Sequence, residues 1–175
     1  RTRAAMSGLR VSGVTIPPLI GVQLELGAGE IGQLQGPNGS GKSRVLALAA
    51  GLLIPASGEA AWEEESPRPG QVALLFQNPD YQLLGRTVSE ELDLVAKTQA
   101  GGDEALAVVG CTDLRDQAPE SLSAGLRRRI ALAGVLAGGA PLVLLDNPLA
   151  DCDETEGQAL WQAVTELLHR QGRTL

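Results

Sequence analysis

The segment GPNGSGKS at residues 36–43 constrains this chain more than any other stretch. The pattern Gly-x-x-x-x-Gly-Lys-Ser is complete at Gly36, Gly41, Lys42 and Ser43. In a chain of this glycine, lysine and hydroxyl content, chance supplies about 0.003 such matches. The chemistry needs these residue types. Glycines let successive backbone N–H groups from Asn38 through Gly39, Ser40, Gly41 and Lys42 to Ser43 turn toward one group of phosphate oxygens at a helix N-terminus. Lys42 adds a point charge at the β- and γ-phosphates, and the Ser43 hydroxyl can ligate Mg²⁺.

The surroundings suit a phosphate cradle. Alternation in VQLELGAGEIGQLQG predicts two strands joined by a turn at Gly27 to Glu30, the second delivering the chain into the loop. From Ser43, the apolar positions Val45, Leu46, Leu48, Ala49, Leu52 and Leu53 predict a buried helix that ends between Gly51 and Pro55.

Length and charge narrow the function classes. The 175 residues, 43% of them hydrophobic, suit one compact domain over 1–175. A formal charge of -7 excludes a broad basic face, so no nucleic-acid partner is expected. The longest apolar run, VLALAAGLLI, is too short to span a bilayer and no signal-like core follows RTRAA, which places the chain in the cytosol. Cys111 and Cys152 lack C-x-x-C spacing and are expected to be plain thiols. The chain opens on Arg1, with Met6 as a plausible start, and stops at GRTL, where a turn should feed a new strand. It therefore looks like a fragment, with an open sheet edge beside Leu142 to Leu145.

Further along, a short strand is expected at Glu59 to Trp62, a solvated turn at Glu63 to Glu65, and a strand buried on both faces at VALLF, residues 72–76. From Thr87 to Ala118 the text is helical, with Thr87 and Glu90 spaced as a capping box and GGDEALAVVG forming a second helix. SAGLRRRIALAGVLAGG is a further helix, and its arginines 127 to 129 are expected to be a solvated face. A helical subdomain thus spans about 87–137, followed by the strand PLVLLD and a helix from about Thr155 to Gln171 that carries a surface His169.

In order and register, these motifs resemble the ATP-binding cassette (ABC) family, the nucleotide-binding subunits of ABC transporters. Walker A is GPNGSGKS, the glutamine loop is LLFQNPDYQLL with Gln77, the signature is LSAGL, Walker B is LVLLDN and the D-loop is LADCD. FQNPD and TVSEEL look most like the cobalt, nickel and energy-coupling-factor branch. The resemblance implies an α/β P-loop NTPase fold: an ABC-type nucleotide-binding domain with a small antiparallel β part, a mostly parallel core sheet and a helical subdomain. It implies ATP and Mg²⁺ as cofactors, with Gly36, Asn38, Gly39, Ser40, Gly41, Lys42, Ser43 and Arg44 at the nucleotide and Ser43, Gln77 and Asp146 at the metal. Ser123, Ala124 and Gly125 would meet the γ-phosphate bound to an opposite subunit, with Asp153 in the D-loop between them. The implied partners are a second ABC subunit, as homo- or heterodimer, and a transmembrane permease on the inner face of the cell membrane. The switch histidine of the family would follow the next strand, past Leu175.

Departures from the pattern cluster on chemistry. Arg44 stands where Thr or Ser is usual, and Ala124 and Leu126 replace Gly and Gln of the signature. Arg1 to Ala61 contains no aromatic residue, so the adenine-stacking ring is absent. Gln33 and Gln35 fall in an expected buried strand. Asn147 occupies the position of the catalytic glutamate. Two readings compete: a transporter ATPase subunit moving a metal ion or vitamin, and a degenerate, non-hydrolysing ATP-binding partner that completes or gates an active subunit's site. A DNA-repair ATPase would need a long coiled coil, for which the stretch between Gln77 and Ser123 leaves no room.

Overall fold

The computed structural model describes residues 8–175, and the expected start at Met6 lies outside the described residues. β1 (Gly8–Ile16), β2 (Leu19–Gly27) and β3 (Ser57–Trp62) form an antiparallel sheet in the order β2-β1-β3. Val11 and Val14 are both buried although an odd spacing should send them to opposite faces. A bulge between them, with Gly13 at φ 60, restores the inward direction. Glu63 to Glu65 form the exposed turn after β3.

The helix α1 (Lys42–Ala49) packs beneath this sheet through Leu48 and Ala49, and Val45 is buried beside them on the helix. It ends in a Schellman turn: Gly51 sits at φ 73, its N–H donates to the Leu48 carbonyl, and the Leu52 N–H donates to Ala47. Leu52 and Leu53 are therefore loop residues exposed to solvent, not the buried helical positions expected, and Ile54 is 96% exposed.

β4 (Val72–Leu75) and β5 (Leu142–Leu145) pair in parallel, Val72 opposite Leu142 and Leu75 opposite Leu145. On the other side of β5, Val143 donates to Thr174 and Thr174 to Pro141, both at 2.8 Å. Leu175 in turn donates to Glu30 at 3.0 Å and accepts from Gly32 at 2.7 Å. The open edge expected beside Leu142 to Leu145 is thus covered by residues 173–175. One segment separates the approach to the phosphate loop from β5.

The expected second strand of the 27–35 hairpin does not form as a regular strand. Glu30 and Gly32 bond to Leu175, while Gln33 and Gln35 are exposed and bond to each other through their side chains at 3.2 Å. β4 is a margin strand, so only Leu75 is fully buried where both faces were expected to be. The side-chain amide of Gln82 stands in for a missing neighbour: it donates to the Leu74 carbonyl and accepts from the Phe76 N–H, each at 2.8 Å.

Strand alternation sorts the core into two sides. Leu142, Leu144 and Leu74 face α1, β1 and β3, whereas Val143 and Leu75 face the remaining helices. Those are α2 (Val88–Val95), α3 (Gln99–Val108), α4 (Ala124–Ala137) and α5 (Glu154–Arg170), joined through Leu92, Leu106, Ile130, Leu132 and Leu167. Thr87 caps α2 by accepting from the Glu90 N–H at 3.1 Å. The Glu90 carboxylate binds Arg86 instead of closing the box, which lowers the Glu90 pKa. Cys111 is buried, which pushes its thiol pKa up, and Cys152 is half-buried; neither forms a disulfide.

Arg173 holds α4 from behind. It is 5% exposed and donates to the carbonyls of Ala140 and Leu136 at 2.7 Å and of Val135 at 3.3 Å. A cation there offsets the negative end of the helix. Burial lowers its pKa to about 10, which leaves it charged at neutral pH. Arg173→Ala strands those carbonyls and is expected to cost about 2–3 kcal/mol. Thermal unfolding checks this: Tm falls by roughly 5–10 °C, and an unchanged Tm would show the contacts to be idle.

Candidate nucleotide-binding site

Residues 36–39 of the loop are exposed and turn on Gly39 at φ 80 and Gly41 at φ 94, conformations that favour glycine. Gly41 is needed for a second reason, since a Cβ there would lie 2.7 Å from the Leu19 side chain. The other helices α2 to α5 each carry a side-chain N-cap, from Thr87, Thr98, Ser123 and Asp153. α1 does not: Gly41 offers none, and its first turn holds no acidic residue. In its first turn the Arg44 N–H already donates to the Gly41 carbonyl at 3.0 Å, while the N–H groups of Lys42 and Ser43 have no intrahelical acceptor by geometry and are left to an external anion. The Lys42 ammonium curls over the loop, donating to the carbonyls of Gly36 at 2.8 Å and Pro37 at 2.9 Å.

Ser43 opens into a cleft of about 670 Å³. Asp146, Gln77, Ala124 and Asp151 share its wall, so the structure brings Walker A, Walker B, the glutamine loop and the start of the signature helix to one space. Asp146 is half-buried at the end of β5, its N–H donating to Leu75 at 3.0 Å. Asn147 is exposed at φ 54, a left-handed conformation that asparagine tolerates better than most residues. Ser123 is exposed and accepts from the Leu126 N–H at 3.3 Å, and a Cβ on Gly125 would meet the Asp151 side chain at 3.3 Å. Asp153 accepts from the Glu156 N–H at 2.8 Å as the cap of α5.

The arginines of α4 correct the expectation of a solvated face. Arg127 donates to Asp80 at 2.8 Å and to the Leu122 carbonyl at 2.6 Å, and Arg129 pairs with Glu156. Arg128, with a side chain 12% exposed, donates to Asp151 and to the Gln77 carbonyl at 2.8 Å each, and to the Asn147 carbonyl at 3.4 Å. One guanidinium thus ties together the glutamine loop, the end of Walker B and the D-loop. Asp80 and Gln82 were site-shaping residues that sequence reasoning passed over, and the pairing of Arg128 with Asp151 was not foreseen. Charge complementarity was the available signal, but the partners lie 47 and 23 residues apart, beyond any helical or strand period. His169 is exposed on α5, as expected.

A phosphate loop opening an uncapped helix, with the strand that ends in Asp146 separated from the loop's approach by the single segment at Thr174 and Leu175, defines a P-loop nucleotide-binding domain. The family model described as ABC transporter matches residues 19–150, and the chain belongs to that family. It is 30% identical over 177 residues to the energy-coupling factor transporter ATP-binding protein EcfA1 of Streptococcus thermophilus, covering 88% of this chain and 61% of that one. It is 34% identical over 179 residues to EcfA2 of Streptococcus sanguinis, covering 91% and 64%. The chain therefore spans about three-fifths of the length of these curated relatives. The structure of cbiO1 from Clostridium perfringens, described as part of the ABC transporter complex cbiONQ, superposes with a TM-score of 0.81 at 25% identity, covering 97% of this chain and 76% of that one. The fold is of the ABC type.

Proposed function

We propose that this chain is the ATP-binding part of an ABC transporter that moves a small substrate, a metal ion or a vitamin. The observation that carries this is the convergence of Ser43, Gln77 and Asp146 on one cleft beside the uncapped start of α1. The residues fit both groups: Gly36 to Ser43 hold phosphate, while the hydroxyl of Ser43, the amide of Gln77 and the carboxylate of Asp146 would hold Mg²⁺. Mg²⁺, when bound, supplies positive charge to the β- and γ-phosphate oxygens. In this reading Ser123 and Ala124, exposed at the start of α4, meet nucleotide on a second ABC subunit. Among the described residues no helix is long and apolar enough to cross a membrane; the reading takes a permease on the inner face of the cell membrane as the partner.

A narrower reading within this one is favoured by a specific observation. Asn147 replaces a carboxylate, and both neighbouring carboxylates are engaged, Asp151 by Arg128 and Asp153 by the cap of α5. The chain then binds ATP, hydrolyses it slowly, and completes or gates the site of an active subunit. With the aromatic residues placed elsewhere, phosphate contacts dominate binding. Mg-ATP and Mg-GTP are expected to bind within about threefold of each other. A competition titration checks this. Strong ATP selectivity would contradict the phosphate-dominated site, and no binding of either nucleotide would remove the nucleotide reading itself.

A further inference from the structure

We propose that the guanidinium of Arg44 meets the base of the bound nucleotide, supplying the flat surface on which it stacks. This rests on the nucleotide reading above and adds a specificity-determining residue to that site.

The argument begins with the two flanks of α1. Ser43 and Ala47 face the cleft that holds Gln77 and Asp146. Arg44, one residue on and about 100° around the helix, faces away from it. Its guanidinium donates to the carbonyl of Pro17, in the turn between β1 and β2. The start of β2, directly after that turn, touches the loop, because the Leu19 side chain occupies the space that a Cβ on Gly41 would need. The start of α1 therefore lies between Asp146 on one flank and the β1–β2 turn on the other. A nucleotide with its terminal phosphate toward Ser43 and Asp146 and its inner phosphates over the helix start directs its nucleoside half to the Pro17 flank.

That flank has the right chemistry for a base. Pro17 and Pro18 are exposed, and Ile20 is 84% exposed, which gives an apolar rim. None of the chain's four aromatic residues lies there. Trp62 is buried, Phe76 and Tyr81 line the Asp146 cleft, and Trp161 packs against the helical core. Arg44 is exposed, and its bond to Pro17 restrains its planar head at the edge of this rim. A guanidinium stacks on any base through its π-face, and one already restrained loses less freedom on doing so.

Titration of the full chain with Mg-ATP and, separately, with Mg-tripolyphosphate, which has no base, separates a base contact from a phosphate contact. Arg44→Ala is expected to weaken Mg-ATP about 5- to 30-fold and to leave Mg-tripolyphosphate within about twofold. Arg44→Lys, which keeps the charge and loses the plane, is expected to behave like Arg44→Ala. Equal weakening of both ligands in Arg44→Ala, restored by Arg44→Lys, would overturn the proposal in favour of a phosphate contact. Unchanged binding of both ligands would overturn it in favour of a bond that only holds the turn. Tripolyphosphate binding by the wild type without any gain for ATP would overturn the base contact while keeping the phosphate loop, and binding of neither ligand would overturn both. Thermal unfolding of each variant confirms the fold, as expected for an exposed side chain.

Discussion

ATP turnover by this chain, assayed as the full-length protein with its natural partner subunit, is expected to rise at least tenfold on Asn147→Glu, with Mg-ATP affinity nearly unchanged. A general base placed on the attacking water contributes about 10²–10⁴-fold, or about 3–5 kcal/mol of barrier. Asn147 can hold water by its amide but cannot take a proton near neutral pH. On the proposed reading Lys42 and the residues that would hold Mg²⁺ act on bound nucleotide whether or not it is cut, so affinity survives. The backbone sets a ceiling on the gain. Asn147 sits at φ 54, where most other side chains are strained by about 1–2 kcal/mol. That cost falls on stability and is read separately as a small drop in Tm. Wild-type turnover at ordinary enzyme rates, unaffected by Asn147→Glu and abolished by Asp151→Asn, would overturn the reading. The structure argues against such a rescue, because proton transfer to Asp151 would have to break its pairing with Arg128.

Lys42→Ala is expected to weaken Mg-ATP by about 10- to 150-fold, the loss of a charge-assisted contact worth about 1.5–3 kcal/mol. The Lys42 ammonium bonds to Gly36 and Pro37 within its own loop. Phosphate binding therefore exchanges two carbonyl partners for anionic oxygens, a stronger acceptor for the same donor. Because those carbonyls are exposed, removing the lysine leaves them to water and costs little stability. Calorimetric titration of wild type and variant under matched salt checks the expectation. Equal binding by the two would refute the phosphate cradle, whatever the turnover results show.

Several elements were legible in the sequence because their causes lie within a few residues. Gly41, Lys42 and Ser43 announce a loop that opens a helix. Thr87 announces the cap of α2, and Leu142 to Leu145 announce a strand. Backbone sterics, capping and the periods of 2 and 3.6 residues act at that range. The Schellman turn at Gly51 was equally local, yet density of apolar residues drew Leu52 and Leu53 into the helix. There the φ 73 that Gly51 adopts outranked hydrophobicity.

What lies beside each strand, and which charge meets which, was settled only in three dimensions. Gln33 and Gln35 were expected in a buried strand, but their segment bonds only through Glu30 and Gly32 to Leu175 among the described residues, and both side chains are exposed. VALLF looked buried on both faces, but its outer edge is held by the amide of Gln82. The arginines of α4 looked solvated, whereas Arg128 is the tie between Gln77, Asn147 and Asp151. The sequence by itself determined the glycine-rich loop, most of the helix and strand types and the asparagine at position 147 on which the hydrolysis proposal rests. Tertiary structure alone decided strand order and the arginine partners, because an edge, a neighbour or a counter-ion is defined by where distant segments come to rest, and no local period encodes that.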